Sequence, residues 1–251
     1  MSSKERPVAL VTGSATGVGR ACVLQFAARG YDVVVNYSRS AKEADETVLK
    51  AKSLGANVLL VQCDVSDDAR VQEMIEAVKA KFGRLDVLVN NAATTNFIDH
   101  SDLDSMTEEL WDRILAVNVK GAFFVTRAAT PLLKEGDGGS VVSISSVAGI
   151  TGSGSSIAYC ASKGALNTMT KSLARALAPE IRVNAVCPGP IESRWIREGS
   201  PETSIEAMVA NYPLPKASMP EDIADAVVFF SLGTTMATGQ LLSVDGGQTL
   251  G

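Results

Sequence analysis

The residues of this chain best suited to chemistry are Tyr159 and Lys163, four residues apart and preceded by Ser146 thirteen residues earlier. In a helix, positions i and i+4 share a face, so the ammonium group would lie close to the phenol. A cation within ~4–6 Å favours the phenolate, and we expect Lys163 to lower the pKa of Tyr159 from its ordinary value near ~10. Such a phenol exchanges a proton with an oxygen that undergoes hydride transfer. The Ser146 hydroxyl could donate a hydrogen bond to the same oxygen.

A glycine-rich turn near the N-terminus decides how this pair is interpreted, because an isolated Tyr-x-x-x-Lys is more often two surface residues on a helix. The apolar run Val8-Ala-Leu-Val11 leads into Gly13, Gly17 and Gly19, and an amphipathic stretch follows. The N-terminus of a helix attracts phosphate through its free N–H groups and its dipole. Glycines let the backbone approach a pyrophosphate closely. The turn therefore predicts a dinucleotide site.

Composition limits the class of protein. A net charge of −5, with no cluster of Lys and Arg, argues against a nucleic-acid surface. No apolar stretch reaches the ~18 residues of a membrane span, and no signal peptide is visible. Cys22, Cys63, Cys160 and Cys187 lack metal or redox spacing, so we expect no metal site and a reducing, cytoplasmic compartment. His100, the only histidine, is expected in a solvated loop.

Short apolar runs alternate with helical patterns, which predicts one α/β domain with a parallel sheet. The predicted strands are Val8–Thr12, Val33–Tyr37, Val58–Cys63, Val87–Asn90, Val141–Ser145, Arg182–Cys187 and Leu241–Val244. The predicted helices lie near Gly17–Arg29, Ala41–Leu54, Asp67–Phe82, Glu108–Val117, Gly121–Lys134, Ile157–Leu177 and Glu221–Ser231. Ligands of such sheets bind beyond the carboxyl ends of the strands, where the motifs lie.

The segment 190–220 interrupts this alternation. It is rich in proline and carries scattered apolar residues, and loops longer than ~12–15 residues are usually functional or disordered. Its apolar content predicts a substrate lid with short helices. The lid follows a dinucleotide-binding and catalytic core, residues 7–189, and precedes a last helix and strand, residues 221–251.

Five separated motifs together resemble the classical short-chain dehydrogenase/reductases. They are the glycine turn, Asn90-Asn-Ala-Ala93, Asn118, the set Ser146, Tyr159 and Lys163, and Pro188-Gly189. The resemblance runs from about Pro7 to Gly247 and is closest to the bacterial branch with the 3-oxoacyl-carrier-protein reductases. It implies a Rossmann-type, doubly wound sheet of about seven strands with helices on both faces. It also implies a nicotinamide-dependent oxidoreductase that assembles as a homotetramer.

The resemblance implies a role for each site residue. Tyr159 is the acid or base, Ser146 holds the substrate oxygen, Lys163 assists Tyr159, and Asn118 anchors a water that links Lys163 to solvent. The implied cofactor contacts are Gly13, Ser14, Thr16, Gly17, Val18, Gly19, Tyr37, Ser38, Arg39, Asp64, Val65, Asn91, Ala92, Ala93, Tyr159, Lys163, Pro188, Gly189, Ile191 and Ser193. The candidates for the substrate pocket are Thr94, Ser146, Val147, Ala148, Pro190, Trp195 and Tyr212.

The end of the second strand bears on the choice of cofactor. An acid at this point accepts a hydrogen bond from the free ribose 2′-hydroxyl and repels a 2′-phosphate. This chain has Tyr37 there, followed by Ser38, Arg39 and Ser40, which are groups suited to a phosphate. Thr16 stands where many NADP-dependent relatives carry a basic residue. NADP(H) is favoured, and NAD(H) is the alternative cofactor.

The charge near the site bears on the substrate. Reductases that act on acyl-carrier protein need positive charge near the site, because the carrier is acidic. Here the two corresponding regions read Leu133-Lys-Glu-Gly-Asp137 and Ala178-Pro-Glu-Ile181. A small free carbonyl or secondary alcohol is therefore favoured over a 3-oxoacyl-carrier-protein substrate. Two further alternatives are a non-catalytic NAD(P)-binding regulatory protein and an epimerase or dehydratase of the extended branch of the family.

Overall fold

The computed structural model describes residues 6–135, 138–193, 196–197 and 204–250. Its described strands form one sheet in the order β3-β2-β1-β4-β5-β6-β7, and all pairs of neighbouring strands are parallel. The strands are β1 Val8–Val11, β2 Asp32–Tyr37, β3 Val58–Gln62, β4 Val87–Asn90, β5 Gly139–Ile144, β6 Ile181–Pro188 and β7 Leu241–Val244. The predicted doubly wound α/β fold is confirmed.

The helices follow the predicted pattern, with ends that differ by a few residues. They are α1 Gly17–Ala28, α2 Ala41–Ser53, α3 Asp68–Phe82, α4 Glu108–Leu115, α5 Ala122–Lys134, α6 Ala148–Thr151, α7 Ile157–Leu177, α8 Ile205–Val209 and α9 Pro220–Val228. Segments Ala116–Gly121 and Phe229–Gly233 are π-helical, and Gln248–Leu250 is a 3₁₀ turn. Helices α6 and α8 had no individual prediction, because five residues or fewer are too short to show a periodicity.

Two apolar clusters cover the two faces of the sheet, because successive side chains of a strand point to opposite sides. Ala9 and Val11 of β1 belong to the cluster with α1, α2 and α9. Val8 and Leu10 belong to the cluster with α3, α5 and α7. Helices on both faces leave the strand ends as the accessible edges of the sheet. None of the described helices has the length and apolar character needed to cross a membrane.

The predicted lid is anchored at both of its ends. Ile191 pairs with Ser218, the Glu192 N–H donates to the Ser218 carbonyl at 2.8 Å, and the Ser218 N–H donates to the Pro190 carbonyl at 3.0 Å. Farther along, the Leu214 N–H donates to the Gly246 carbonyl at 2.9 Å. The segment therefore returns to the carboxyl ends of β6 and β7. The expected pocket residue Trp195 lies outside the described residues.

Candidate active site

A cavity of about 1130 Å³ lies at the carboxyl ends of the strands. Its lining extends from Arg39 after β2 to Tyr212 in the segment after β6. Pockets for one drug-sized ligand usually measure roughly 300–1,000 Å³. This cavity therefore has room for a dinucleotide and a small second molecule. It lies where the chain order reverses between β1 and β4, which is the usual ligand position in such sheets.

The glycine turn forms one wall of the cavity. Gly13 and Gly17 have positive φ angles of 60° and 54°, which favour glycine. A Cβ on Gly17 would meet no atom within 4 Å, so the space above it is open. Helix α1 begins after Thr16, whose side chain makes no capping hydrogen bond, and its first turn has no acidic residue. Its N–H groups are thus available to an anion, and the turn fits a pyrophosphate.

Three of the expected cofactor contacts, Ser14, Gly19 and Tyr37, do not line the cavity. The buried Ser14 hydroxyl accepts a hydrogen bond from the Asn36 N–H at 3.1 Å, so it joins the turn to β2. A Cβ on Gly19 would lie 2.6 Å from both the Gly13 carbonyl oxygen and the Asn91 amide nitrogen. Tyr37 packs against the core under α1 and α2. These residues shape the turn, and their side chains do not face the cavity.

The loop after β4 supports the glycine turn from below. Thr12 Oγ1 accepts from the N–H groups of Asn91 and Ala92, both at 3.0 Å. Asn91 Nδ2 donates to the carbonyls of Thr12 and Gly13 at 2.9 Å. A Cβ on Gly13 would come within 2.8 Å of the Ala92 Cα. This close packing explains why the sequence places small residues on both sides of the contact.

The adenosine end of the cavity contains an ion pair that the sequence did not reveal. Asp64 after β3 accepts from Arg113 Nη2 on α4 at 2.8 Å, and Arg113 Nη1 donates to Ser66 Oγ at 2.9 Å. Partial burial opposes ionisation of Asp64, but the Ser66 hydrogen bonds and Arg113 together keep the pKa of this carboxyl below its usual value. Asp64 and Val65 line the cavity as expected, and so does Arg113.

Helix α7 brings Tyr159 and Ser146 together. The Ser156 side chain caps the helix by accepting from the Tyr159 N–H at 3.3 Å. The Ser146 hydroxyl, just after β5, is hydrogen-bonded to the Tyr159 phenol. It also accepts from the Ala148 N–H at 3.1 Å. Two hydroxyl groups thus face the cavity as a pair, the arrangement needed to hold one substrate oxygen and exchange a proton with it.

Lys163 is buried, 2% exposed, below this pair. Its Nζ donates to the Ile144 carbonyl at 2.8 Å and lies 5.5 Å from the centre of the Tyr159 ring. Burial lowers the pKa of Lys163 to about 8, and the nearby Cys187 opposes this change. Burial also raises the pKa of Tyr159 to about 12, with the Ser146 hydrogen bond acting in the opposite direction. The expected lowering of the Tyr159 pKa is therefore wrong for this structure, because desolvation of the phenol sets the direction of the change.

Asn118 lies in the π-helical turn between α4 and α5 and is 1% exposed, outside the cavity lining. Its Oδ1 accepts from the Thr94 N–H at 2.8 Å, and its Nδ2 donates to the Thr94 carbonyl and to Ser162 Oγ, both at 3.0 Å. The side chain thus fixes the loop after β4 to α7. The expected water relay stays a prediction. A π-helical turn is typical of functional sites.

Asn167, one helical turn beyond Lys163, connects the elements around the site. Its Oδ1 accepts from Ser145 Oγ at 2.6 Å and lies 3.7 Å from Cys187 Sγ, and its Nδ2 donates to the Gly149 carbonyl at 3.3 Å. The ends of β5 and β6 and helix α6 are thereby joined to α7. Its position four residues after Lys163 is the one sequence signal for this role.

The substrate end is assembled from four separate segments. Of the expected pocket residues, Thr94, Ser146, Val147, Ala148, Pro190 and Tyr212 line the cavity. Lining residues that the sequence did not suggest at this end are Thr95, Phe97, Ile98, Asp99, Ser153, Gly154, Ser155, Ile196, Met208 and Gln248. They come from the loops after β4 and β5, the lid and the C-terminal turn, so no single motif contains them.

A clamp joins the two loops that border this end. Thr95 Oγ1 and Ser155 Oγ are 2.7 Å apart, and the Ile98 N–H donates to the Ser155 carbonyl at 2.9 Å. His100 Nε2 lies 3.1 Å from the Gly154 carbonyl. This histidine was expected in a solvated loop, and the structure places it, half-buried, in a turn where it also contacts the neighbouring loop. We call these contacts the 95–155 clamp.

Comparisons with known proteins agree with this geometry. A family model described as enoyl-(acyl carrier protein) reductase matches residues 13–249. The chain is 42% identical over 247 residues to a protein of Streptomyces violaceoruber assigned as ketoacyl reductase 2 of granaticin polyketide synthase, covering 98% of this chain and 97% of the relative. It is 39% identical over 245 residues to the 3-oxoacyl-[acyl-carrier-protein] reductase FabG of Thermotoga maritima, covering 97% and 98%.

A solved structure has the same fold over nearly its whole length. The crystal structure of acetoin dehydrogenase from Enterobacter cloacae superposes with a TM-score of 0.87 at 33% sequence identity. The match covers 99% of this chain and 97% of that one.

Proposed function

This chain belongs to the classical short-chain dehydrogenase/reductase family, and on that premise we propose that it reduces a small, free carbonyl compound with NADPH. As a member of this family the protein is an oxidoreductase that uses a nicotinamide cofactor. The observation that carries the proposal is the hydrogen-bonded pair of Ser146 and Tyr159, which lines a cavity whose glycine turn fits a pyrophosphate.

The residues divide the work of the reaction. The nicotinamide, when bound, supplies the hydride. Ser146 donates a hydrogen bond to the substrate oxygen, and Tyr159 gives that oxygen a proton. With a pKa of about 12, Tyr159 is protonated at neutral pH, so it can donate a proton in the reductive direction. Lys163, with a pKa of about 8, still carries its charge at neutral pH and assists proton transfer from Tyr159.

The preference for NADP(H) is supported by the end of β2. Ser38, Arg39 and Ser40 line the cavity, and Ser38 and Arg39 are exposed. Tyr37, and not an acid, ends the strand. A guanidinium group and two hydroxyl groups suit a 2′-phosphate, and no carboxylate at this strand end would repel it. NAD(H) is the alternative cofactor.

A small free substrate is supported by the charges around the cavity. Among the described lining residues, the cations are Arg39, Arg113 and Lys163. The first two lie at the adenosine end and the third is buried. On the adjacent surface, Arg197 pairs with Glu192 at 2.6 Å. An acidic carrier protein would find little net positive charge there. The acetoin dehydrogenase neighbour is named for a small free compound.

The alternative is a 3-oxoacyl-carrier-protein reductase, which the FabG relative and the description of the family model favour. A regulatory protein that binds NAD(P) without catalysis is a third candidate, and the intact pair of Ser146 and Tyr159 argues against it. The three functions predict different substrates for the purified protein: a free ketone, a carrier-bound 3-oxoacyl group, or no carbonyl compound.

One steady-state experiment separates the three functions. NADPH consumption is measured with a panel of small ketones and with acetoacetyl-acyl-carrier protein. We expect kcat/KM to be higher for the best ketone than for the carrier-bound substrate. The reverse order would establish the carrier-protein reductase. No turnover of any carbonyl, with either nucleotide bound, would leave the regulatory function.

We also expect a homotetramer in the cytoplasm. Apolar side chains are exposed in the π-helical segment after α9, where Phe229 is 50% and Leu232 40% exposed, and on the edge strand β7, where Leu242 is 37% exposed. Covering such a surface by a second copy would remove it from water. All four cysteines are buried free thiols, which suits a reducing compartment. Light scattering at micromolar concentration tests the assembly, and a monomer mass would refute it.

A further inference from the structure

The groups that would carry the reaction lie on two different elements, Ser146 shortly after strand β5 and Tyr159 and Lys163 on helix α7. The Ser146 hydroxyl is hydrogen-bonded to the Tyr159 phenol. The Ile144 carbonyl accepts from Lys163 Nζ at 2.8 Å. Both contacts therefore depend on how the segment 144–146 lies against α7. A misplacement of about 1 Å in such a site can cost about 10²-fold in rate.

Hydrogen bonds to β6 fix the segment 144–146 relative to the sheet. The Ser145 N–H donates to the Val186 carbonyl at 2.7 Å. The Val147 N–H, one residue beyond the segment, donates to the Pro188 carbonyl at 3.0 Å. These bonds set the position of the segment relative to β6. Its position relative to α7 depends on contacts that cross from the end of β5 to the helix.

The Asn167 amide provides such a contact. Its Oδ1 accepts from Ser145 Oγ at 2.6 Å, and Ser145 is the central residue of the segment. The same hydroxyl lies 3.3 Å from the Lys163 carbonyl, which is a longer and weaker contact. Because Asn167 comes four residues after Lys163, the two side chains lie on one face of α7. One short hydrogen bond thus links the centre of the segment to the helix that carries Tyr159 and Lys163.

The Asn167 amide is itself held in place. Its Nδ2 donates to the Gly149 carbonyl of helix α6 at 3.3 Å. Helix α6 packs closely on α7 here, since a Cβ on Gly149 would lie 2.5 Å from the carbonyl carbon of Lys163. Asn167 is 6% exposed and does not line the cavity. It therefore acts on the site through Ser145 and not by contact with a substrate or cofactor.

We propose that Asn167 is a positioning residue for the reaction, which acts through Ser145 to hold the end of β5 in register with α7. In this register the Ser146 and Tyr159 hydroxyls can share one substrate oxygen. The inference rests on the proposed reductase function, although not on the identity of the carbonyl compound. A purely structural role would change only the stability of the fold. A positioning role also changes kcat of the folded enzyme.

Two variants remove the hydrogen bond, one from each side. Asn167→Leu keeps a similar side-chain size without the acceptor, and Ser145→Ala lacks the donor. We measure kcat with NADPH and whichever small ketone or acetoacetyl-acyl-carrier protein wild type reduces fastest. In each variant kcat should fall roughly ten- to hundred-fold, while KM and the dissociation constant of NADPH stay close to those of wild type. The double variant should be no slower than the slower single variant, because both changes remove one interaction.

Thr170→Val is the matched control on the same helix. Thr170 is 1% exposed, and its Oγ1 donates to the Leu166 carbonyl at 2.9 Å. This variant also loses a buried hydrogen bond, so its melting temperature should fall, but it should keep the wild-type kcat. For every variant, kcat is referred to the concentration of folded sites obtained by NADPH titration.

Crystal structures of wild type and Asn167→Leu give a readout that does not depend on turnover. In the variant, the Ser146 hydroxyl should lie beyond hydrogen-bonding distance of the Tyr159 phenol. A normal kcat per folded site, an unmoved segment 144–146, or an equal loss of kcat in Thr170→Val would each overturn the inference and leave the reductase function intact. A wild type that reduces no carbonyl compound would remove the proposed function, and the inference with it.

Discussion

The two ends of the cavity are built from different parts of the chain. At the phosphate end, one continuous turn from Gly13 to Gly19 presents backbone N–H groups, and short-range geometry fixes its shape. At the substrate end, side chains converge from the loops after β4 and β5, the lid and the C-terminal turn. Within the 95–155 clamp, for example, Thr95 and Ser155 are sixty positions apart in the sequence.

Because of this difference, the phosphate end determines the class of cofactor and the substrate end determines the substrate. A backbone turn at a helix N-terminus binds any phosphate in nearly the same way, so it identifies a class of cofactor. Side chains from distant segments vary independently of each other, so they select one substrate. Tyr159, Ser146 and Lys163 lie between the two ends, where the chemistry needs both molecules.

The largest effect is expected where the two ends meet. Tyr159→Phe should lower kcat by about 10²–10⁴-fold, because the variant keeps the ring but removes the proton donor. The affinity for NADPH and the melting temperature should stay close to those of wild type. Steady-state kinetics and fluorescence titration measure these quantities. Near-normal turnover on the best substrate would remove Tyr159 from the mechanism.

Lys163→Met tests how the buried cation between the two ends of the cavity affects the stability of the fold. The pKa of Lys163 falls from 10.5 to about 8 on folding, a change worth roughly 3 kcal/mol. Below pH 8 both states carry the charge, and its burial destabilises the fold fully. As pH rises from 8 to 10.5, the folded state loses its proton first and this penalty disappears.

Chemical denaturation without cofactor, at several pH values, measures this effect. Wild type should gain stability relative to Lys163→Met between pH 8 and 10.5. The stability difference between wild type and Lys171→Met, a variant on the exposed side of α7, should stay constant over the same range. A stability difference that is constant over this range would contradict the burial of a charged lysine.

Arg39→Ala should weaken cofactor binding without affecting the substrate end of the cavity. We expect the dissociation constant of NADPH to rise roughly ten- to hundred-fold, because a guanidinium–phosphate contact is lost, while that of NADH hardly changes. Arg29→Ala, an exposed arginine after α1 that does not line the cavity, is the matched control. A wild-type preference for NADH would contradict the NADP(H) proposal.

The smallest effect is expected at the substrate end. Thr95→Val removes one hydrogen bond of the 95–155 clamp, worth roughly 0.5–1.5 kcal/mol, and should raise KM for the carbonyl substrate a few-fold without changing the affinity for NADPH. Ser155→Ala should have the same effect, and the double variant should add nothing further. Additive losses would show that the two hydroxyls act separately.

Much of the fold and part of the site could be predicted because their signals are local. The alternating apolar runs located the strands, and i, i+4 spacing placed Tyr159 and Lys163 on one helix. The four-residue helix α6 was missed, since it is too short to show a period. Arg113 and Asn167 were missed as well, because their partners Asp64 and Ser145 lie 49 and 22 residues away.

The sequence by itself determined the parallel sheet, the glycine turn and the residues that face each other on α7, because backbone conformation and helical period depend on near neighbours. Only the tertiary structure decided how those groups behave. It placed Lys163 beneath the Tyr159 ring, and the desolvation of the Tyr159 phenol raised its pKa, against the expected direction. It also brought Gln248 to Gly189, across the pairing of β6 with β7. Burial and long-range contacts depend on the order of the strands in the sheet. That order cannot be predicted from local sequence patterns.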